Sequence, residues 1–174
     1  MIEHFYERSG RDLQSVAWLD VGCGFGELLR LGNSFVREAA GCDVSAEMLE
    51  RCRDLNVRVQ PSPTFLPYPE RRFDLITAAC VFHHVAHAMR PLLIKEIFRV
   101  LSPGGLCCII EHNPWNPITQ LIVRRTPVDT NAHLLTATQA HGLLMNEGLT
   151  PASRKYFLLF PECIYEKTKA VEAL

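Results

Sequence analysis

The sequence predicts an α/β fold, a doubly wound and mostly parallel sheet with helices on both faces. Three observations point there. Short apolar runs alternate with amphipathic ones along most of the 174 residues, the pattern of repeated strand–helix–strand units. The run "RFDLITAAC" is almost continuously apolar, as strands buried on both faces are. Directly behind the first run, "LDVGCGFGEL" crowds Gly22, Gly24 and Gly26 into one turn. Each glycine loses more conformational freedom on folding than any other residue, so a chain spends three of them where something must approach its backbone closely.

The elements follow in order. A helix over about Ile2 to Gln14 opens the chain, and "VAWLDVG" is the first strand. "AAGCDVS" is the second and ends in the carboxylate of Asp43. Ser45 caps a helix with Glu47 in its first turn, running to about Asp54. "VRVQ" is a weak third strand and "RFDLITAAC" a strong fourth. Pro91 then opens a helix at its favoured first position, with Leu93, Ile94, Ile97, Phe98 and Leu101 on one face. "SPGG" ends that helix and "LCCIIEH" is the fifth strand. The stretch from Asn113 to Leu135 carries Pro114, Pro117 and Pro127 and a short helix around Ile118 to Arg125. So long an irregular joint is expected to serve function. Thr136 and Gln139 form a capping box for a helix that Gly148 closes, and "SRKYFLLF" is a last strand. No linker or repeat interrupts this order, so residues 1–174 read as a single domain with right-handed crossovers.

Composition narrows the function. Hydrophobic residues make up 48% and charged residues 21%, and the formal net charge is −1. That balance offers no electrostatic attraction to nucleic acid or to an anionic membrane, so the expected partner is a small molecule and neither of those. No apolar stretch approaches the roughly 20 residues of a bilayer span. The first residues, "MIEHFYERSGRDL", lack the apolar core of a secretory signal. The seven cysteines are odd in number, lie mostly in apolar runs and form no C-x-x-C pair. They are expected to be buried thiols, and the protein cytoplasmic.

The glycine turn constrains the ligand. In open parallel sheets ligands sit beyond the carboxyl ends of the strands, where the strand order reverses. A dinucleotide fingerprint would need its third glycine at position 27, which is Glu27, and no G-K-[ST] follows to make a phosphate loop. Asp20 and Glu27 flank the turn with negative charge. Both speak against a polyphosphate and for a ligand carrying positive charge.

Taken together, "LDVGCGFG", "GCDVSAEML", "LPYPERRFDLITAACVFHHV" and "RVLSPGGLCCIIEHN" resemble a class I S-adenosylmethionine-dependent methyltransferase of the ubiquinone-biosynthesis-like group. The resemblance covers about Trp18 to Asn113. It implies a Rossmann-like sheet and transfer of a methyl group from S-adenosylmethionine to a small-molecule acceptor. A non-catalytic, cofactor-binding partner subunit with the same fold is the alternative. It also implies roles. Gly22, Cys23, Gly24 and Gly26 would pass under the methionine part and ribose, and Asp20 would order the turn and meet the ammonium. Asp43 would accept from the ribose hydroxyls, Val44 or Met48 would lie against the adenine, and Ala79 and Cys80 would sit at the methyl end. The family usually has an acidic residue after the third strand. Ser62 stands in that place, so Ser62 and Thr64 are left to hold the adenine and weaker cofactor binding is expected.

Methyl transfer from a sulfonium is an in-line displacement, and a base is needed only where the acceptor loses its proton early. The candidate bases are His83, His84 and His112; the competing reading makes the first two structural residues at the cleft rim. His83 and His87 are four apart and would share a helix face, but a third ligand is lacking, so no metal is expected. The acceptor cleft is expected from Tyr6, the His83–His84 turn and "HNPWNP", with Phe82 and Trp115 against the acceptor or in the core. Tyr6 would also lie near the sulfonium. Relatives carry a seventh strand that this chain apparently lacks. Either Arg154–Phe160 pairs with the fifth strand, or an open edge favours a homodimer through the C-terminal region.

Overall fold

A computed structural model of the chain describes residues 6–7, 10–126, 129 and 132–156. Five strands, β1 (Ala17–Val21), β2 (Glu38–Asp43), β3 (Val57–Val59), β4 (Phe73–Ala79) and β5 (Leu101–Ile110), form one sheet in the order β3-β2-β1-β4-β5. Every pairing in it is parallel. The order reverses between β1 and β4, which places the switch point at the carboxyl ends of those two strands.

Burial explains the sequence of the central strands. All five residues of β1 are buried. Ala17, Leu19 and Val21 pack into one apolar layer with Phe73, Ile76, Leu93, Ile94 and Ile97, while Trp18 faces a second layer with Val16, Leu29, Leu49 and Cys52. Alternate residues of one strand therefore serve two cores, and the strand shows no polar face.

The helices α1 (Glu27–Gly32), α2 (Ala46–Leu49), α3 (Arg90–Val100), α4 (Pro117–Arg125) and α5 (Ala137–Asn146) start where local chemistry places them. Ser45 accepts from the Met48 N–H, Asn116 from the N–H groups of Ile118 and Thr119, and Thr136 with Gln139 forms a complete capping box. Gly148 takes the left-handed conformation after α5, at φ 84°. Three details differ from the expectation. Phe98 is 51% exposed, and Val100 replaces it on the buried face of α3. Leu101 belongs to β5 rather than to the helix, and "SPGG" lies inside that strand near a register irregularity opposite Phe73 and Leu75. Ser45's helix is one short α turn continued by a 3-10 turn, Glu50–Cys52.

The ends of the chain give partial answers. Tyr6 and Glu7 are helical and Leu13–Ser15 is a 3-10 turn; the remainder of the expected first helix lies largely outside the described residues. Ser153–Tyr156, the described half of the expected last strand, is not a strand, because no backbone ladder forms there. Residues 157–174, and with them the expected dimerising tail, lie outside the described residues. Among the described residues no helix is long and apolar enough to cross a membrane.

Candidate functional site

Because the strands are parallel, the residues following β1, β2, β4 and β5 all emerge at one edge of the sheet. Gly22–Gly26, Asp43, Cys80 and Glu111 meet there. Gly22, Gly24 and Gly26 have φ of 68°, 52° and 74°, so all three need the left-handed region. Their side-chain spaces differ. A Cβ on Gly22 would stand 2.5 Å from Val81 and one on Gly26 2.4 Å from Leu55. On Gly24 the nearest atom is the Met48 sulfur at 3.9 Å. Two of the glycines admit neighbouring side chains, and Gly24 alone of the three has room for a side chain, with only the Met48 sulfur in contact range.

The turn is held by carboxylates. Asp43, 7% exposed, accepts from the Gly24 N–H through Oδ2 at 2.9 Å and from the Ser45 N–H through Oδ1 at 2.8 Å. Each oxygen keeps a lone pair for a further donor. Asp20 is buried behind the turn, where the Trp18 indole donates to Thr77 Oγ1 at 2.8 Å and Thr77 donates to Asp20 Oδ1 at 2.6 Å. Burial pushes the Asp20 carboxyl up to about 6, the Thr77 bond working against that rise. A cation in front of the turn would restore its ionised form. Cys23 is buried beside these acids and its thiol is raised, first by burial and then by their charge.

Around the expected adenine position Val44 is 53% exposed and Met48 is half-buried. Ser62 Oγ lies 3.4 Å from Thr64 Oγ1 in a small turn closed by an isolated bridge between Ser62 and Phe65. Gln60, which the sequence reading passed over, is buried at the end of β3; its N–H donates to the Asp43 carbonyl at 2.7 Å and its side-chain amide to the Ser62 carbonyl at 2.9 Å. It ties the Ser62 turn to Asp43.

At the other side of the switch point, Ala79 ends β4 and Cys80 is exposed with φ 58°. A non-glycine residue held there costs about 1–3 kcal/mol and marks a constrained position. Cys80 Sγ lies 3.8 Å from His112 Nε2. The thiol is pushed up to about 11 by burial and by the charges of Glu111 and Asp129.

The histidines part company. His83 is 1% exposed; its Nδ1 meets Glu111 Oε2 at 2.6 Å and its Nε2 faces Asp129 Oδ1 at 3.3 Å. Glu111's other oxygen accepts from the Phe82 N–H at 2.6 Å. Burial works to lower the His83 pKa, but the hydrogen bond and charge of Glu111, with the charge of Asp129, outweigh it and raise the pKa. His84 is part-exposed, and burial and the neighbouring His83 lower its pKa. Asp129 comes from the long joint after α4, whose later part docks here too: the His133 N–H donates to the His83 carbonyl at 2.8 Å. Arg90, 1% exposed, donates to the carbonyls of Val85 and His133 and holds that joint in place.

Several expected members are elsewhere. Tyr6 is 1% exposed and its hydroxyl donates to the Asp74 carbonyl at 2.8 Å, at the start of β4 and so at the opposite edge of the sheet. It cannot approach the methyl position. Phe82 is core and Trp115 is 79% exposed. His83 and His87 do not share a helix face, because the chain makes two separate 3-10 turns, Phe82–His84 and His87–Met89. His87 instead sits 3.2 Å from Arg90.

With this geometry in view, the description of a methyltransferase domain matches residues 19–109. The chain belongs to that family. It is 33% identical over 114 residues to the tRNA (carboxymethyluridine(34)-5-O)-methyltransferase of Arabidopsis thaliana, covering 63% of this chain and 27% of that protein. It is 34% identical over 113 residues to a ubiquinone/menaquinone biosynthesis C-methyltransferase of Ectopseudomonas mendocina, covering 58% and 43%. The chain therefore spans less than half the length of these curated relatives. The crystal structure of an S-adenosylmethionine-dependent methyltransferase from Mesorhizobium loti shares the fold, with TM-score 0.69, 21% identity, and 99% and 92% coverage. One expectation falls. Nucleic acid was excluded on net charge, yet a relative of this methyltransferase domain is named for its action on tRNA. Net charge is an average over a surface and does not report which part of it meets a ligand.

Proposed function

We propose that this methyltransferase domain binds S-adenosylmethionine over the Gly22–Gly26 turn and transfers its methyl group to a small-molecule nucleophile beside Cys80. The observation that carries the reading is Gly24, whose missing side chain leaves room bounded only by the Met48 sulfur, next to a buried carboxylate, Asp43, at the switch point. Asp43 supplies two free lone pairs for a ribose diol, and Asp20 supplies the negative charge that a cationic ligand needs. Val44 and Met48 flank the adenine, with the Ser62–Thr64 turn at its edge. Cofactor chemistry contributes the electrophilic methyl; the chain contributes alignment and a negatively charged floor.

His112 is the residue we assign to take up an acceptor proton. Its Nε2 lies 3.8 Å from Cys80 Sγ at the methyl end, and among the described residues no carboxylate clamps it, whereas His83 is sealed between Glu111 and Asp129. His83 and His84 then serve as positioning residues. The six described cysteines are all free thiols, which supports a reducing, cytoplasmic setting.

Calorimetric titration with S-adenosylhomocysteine and with NAD, followed by S-adenosylhomocysteine release against an acceptor library, tests the reading. Binding of the first ligand alone and turnover on a small acceptor are expected; no binding of either overturns it. His112→Ala should leave cofactor affinity intact and lower turnover by about 10²–10⁴. A tRNA nucleoside is the second reading, favoured by the Arabidopsis relative. Turnover on tRNA with none on the small-molecule arm decides for it, and binding without turnover on either arm decides for the non-catalytic alternative.

A further inference from the structure

The geometry points to a divalent transition-metal site formed by His83 Nε2, His84 Nε2 and Asp129 Oδ1, with zinc as its best-matched ion. Among the described residues these three atoms lie within 4.8 Å of one another. No metal was expected from the sequence because His83 and His87 lacked a third ligand. The structure removes His87 and supplies Asp129 from the joint after α4.

The distances suit a shared cation as well as long hydrogen bonds. Asp129 Oδ1 stands 3.3 Å from His83 Nε2 and 3.4 Å from His84 Nε2. An ordinary N–H···O bond is about 2.9–3.0 Å long. Two ligands of a tetrahedral zinc, each about 2.0–2.1 Å from the ion, stand about 3.3–3.4 Å apart. One carboxylate oxygen at that separation from two imidazole nitrogens matches the spacing a shared cation would set.

The surroundings agree. Glu111 Oε2 lies 2.6 Å from His83 Nδ1, so a neutral His83 with its proton on Nδ1 would present the Nε2 lone pair to Asp129. In that tautomer Nε2 and Asp129 are both acceptors, and a cation between them would satisfy both. A carboxylate holding the far nitrogen of a ligating histidine is the usual outer partner of such sites. Here that partner is itself fixed, since the Phe82 N–H occupies its other oxygen. The side chains of Glu111 and Asp129 are only 8% and 11% exposed, so a bound cation would offset the cost of burying two carboxylates. Two imidazoles and one carboxylate suit zinc and its first-row neighbours better than magnesium or calcium. His84 is 39% exposed, so solvent can reach the cluster from its side. The ring centre of His112 lies 5.3 Å from that of His83, so the cluster adjoins the cleft containing Cys80.

The test uses the full chain stripped of metal with a chelator, titrated calorimetrically with zinc chloride and followed by the visible absorption of cobalt(II) at the same site. One zinc per chain is expected, with a cobalt spectrum of low-symmetry, four-coordinate type. His84→Ala, at a part-exposed position, should abolish both, and Asp129→Asn should do the same while keeping side-chain shape. Glu111→Gln should weaken binding by about 10–100-fold through the outer contact. His141→Ala, an exposed histidine outside the cluster, should change nothing. Absence of stoichiometric zinc binding in the unaltered chain, or undiminished binding in folded Asp129→Asn, overturns the proposal and leaves a protonated His83 bridging two carboxylates. S-Adenosylhomocysteine binding is read separately, so failure of the metal site does not touch the proposed cofactor site.

Discussion

Replacing Gly24 by alanine tests the cofactor site more sharply than any change of charge. Its φ of 52° lies in the left-handed region, where a side chain costs about 1–2 kcal/mol. The new Cβ meets only the Met48 sulfur, at 3.9 Å, so no overlap with the protein adds to that. For a chain of this size 1 kcal/mol lowers the melting temperature by about 2–4 °C, so a fall of about 2–8 °C is expected. Gly148 provides the control. It has φ 84° and nothing within 4 Å of the corresponding Cβ, and it closes α5 away from the glycine turn. Gly148→Ala should therefore lose similar stability and no affinity. Gly24→Ala should in addition weaken S-adenosylhomocysteine binding by more than tenfold, about 1.4 kcal/mol, because the methyl group takes the ligand's space. Differential scanning fluorimetry and calorimetric titration on both variants give the two readouts. Affinity in Gly24→Ala equal to that of the unaltered chain would refute the reasoning and make the turn a purely structural one.

The remaining predictions rest on single side chains. Asp43→Asn should lower S-adenosylhomocysteine affinity by about tenfold to a hundredfold, since a charge-assisted bond to the diol is worth about 1.5–3 kcal/mol; titration showing no change removes Asp43 from the site. Asp20 is protonated more readily in the folded chain, with its pKa raised from 3.8 to about 6. Its contribution to stability is thus greatest below about pH 4 and is lost as pH rises through about 6, while affinity for S-adenosylmethionine should fall as pH drops below about 6. A flat affinity profile between pH 5 and 7 would exclude coupling to this carboxyl. Arg90→Met should keep the buried volume but leave the Val85 and His133 carbonyls without their donors. Each costs about 1–3 kcal/mol, so the urea midpoint should drop clearly; an unchanged midpoint contradicts the anchoring role.

How much of this was legible in the sequence depends on how far apart the interacting residues are. Features whose cause is local were readable. The apolar runs of β1 and β4, the glycine turn, the Ser45 cap and the Thr136–Gln139 box each follow from a few neighbouring residues. The order of those elements implied the parallel sheet, and parallel strands bring their carboxyl ends to one edge whatever the side chains are. That is why the sequence brings Asp20, Gly24 and Asp43 to one edge of the sheet. Direction and partnership across the sheet were not readable. Tyr6 carries a ring suited to a cation, yet its hydroxyl anchors the far end of β4, which depends on where the first helix packs. His83 and His87 have helical spacing, but tertiary contacts break that stretch into two 3-10 turns. Even the glycines looked alike until their neighbours were known, since only the packing of Val81 and Leu55 shows which of the three keeps room for a side chain. The cluster around His83 draws Glu111 from the end of β5 and Asp129 from the joint beyond α4. No spacing rule links those three segments. The sequence alone determined the fold and the glycine turn proposed as the floor of the cofactor site, because hydrophobic period and turn chemistry act between near neighbours. Which histidines stand free and which are clamped was decided only in three dimensions, because the carboxylates that clamp them arrive through sheet order and long-range docking.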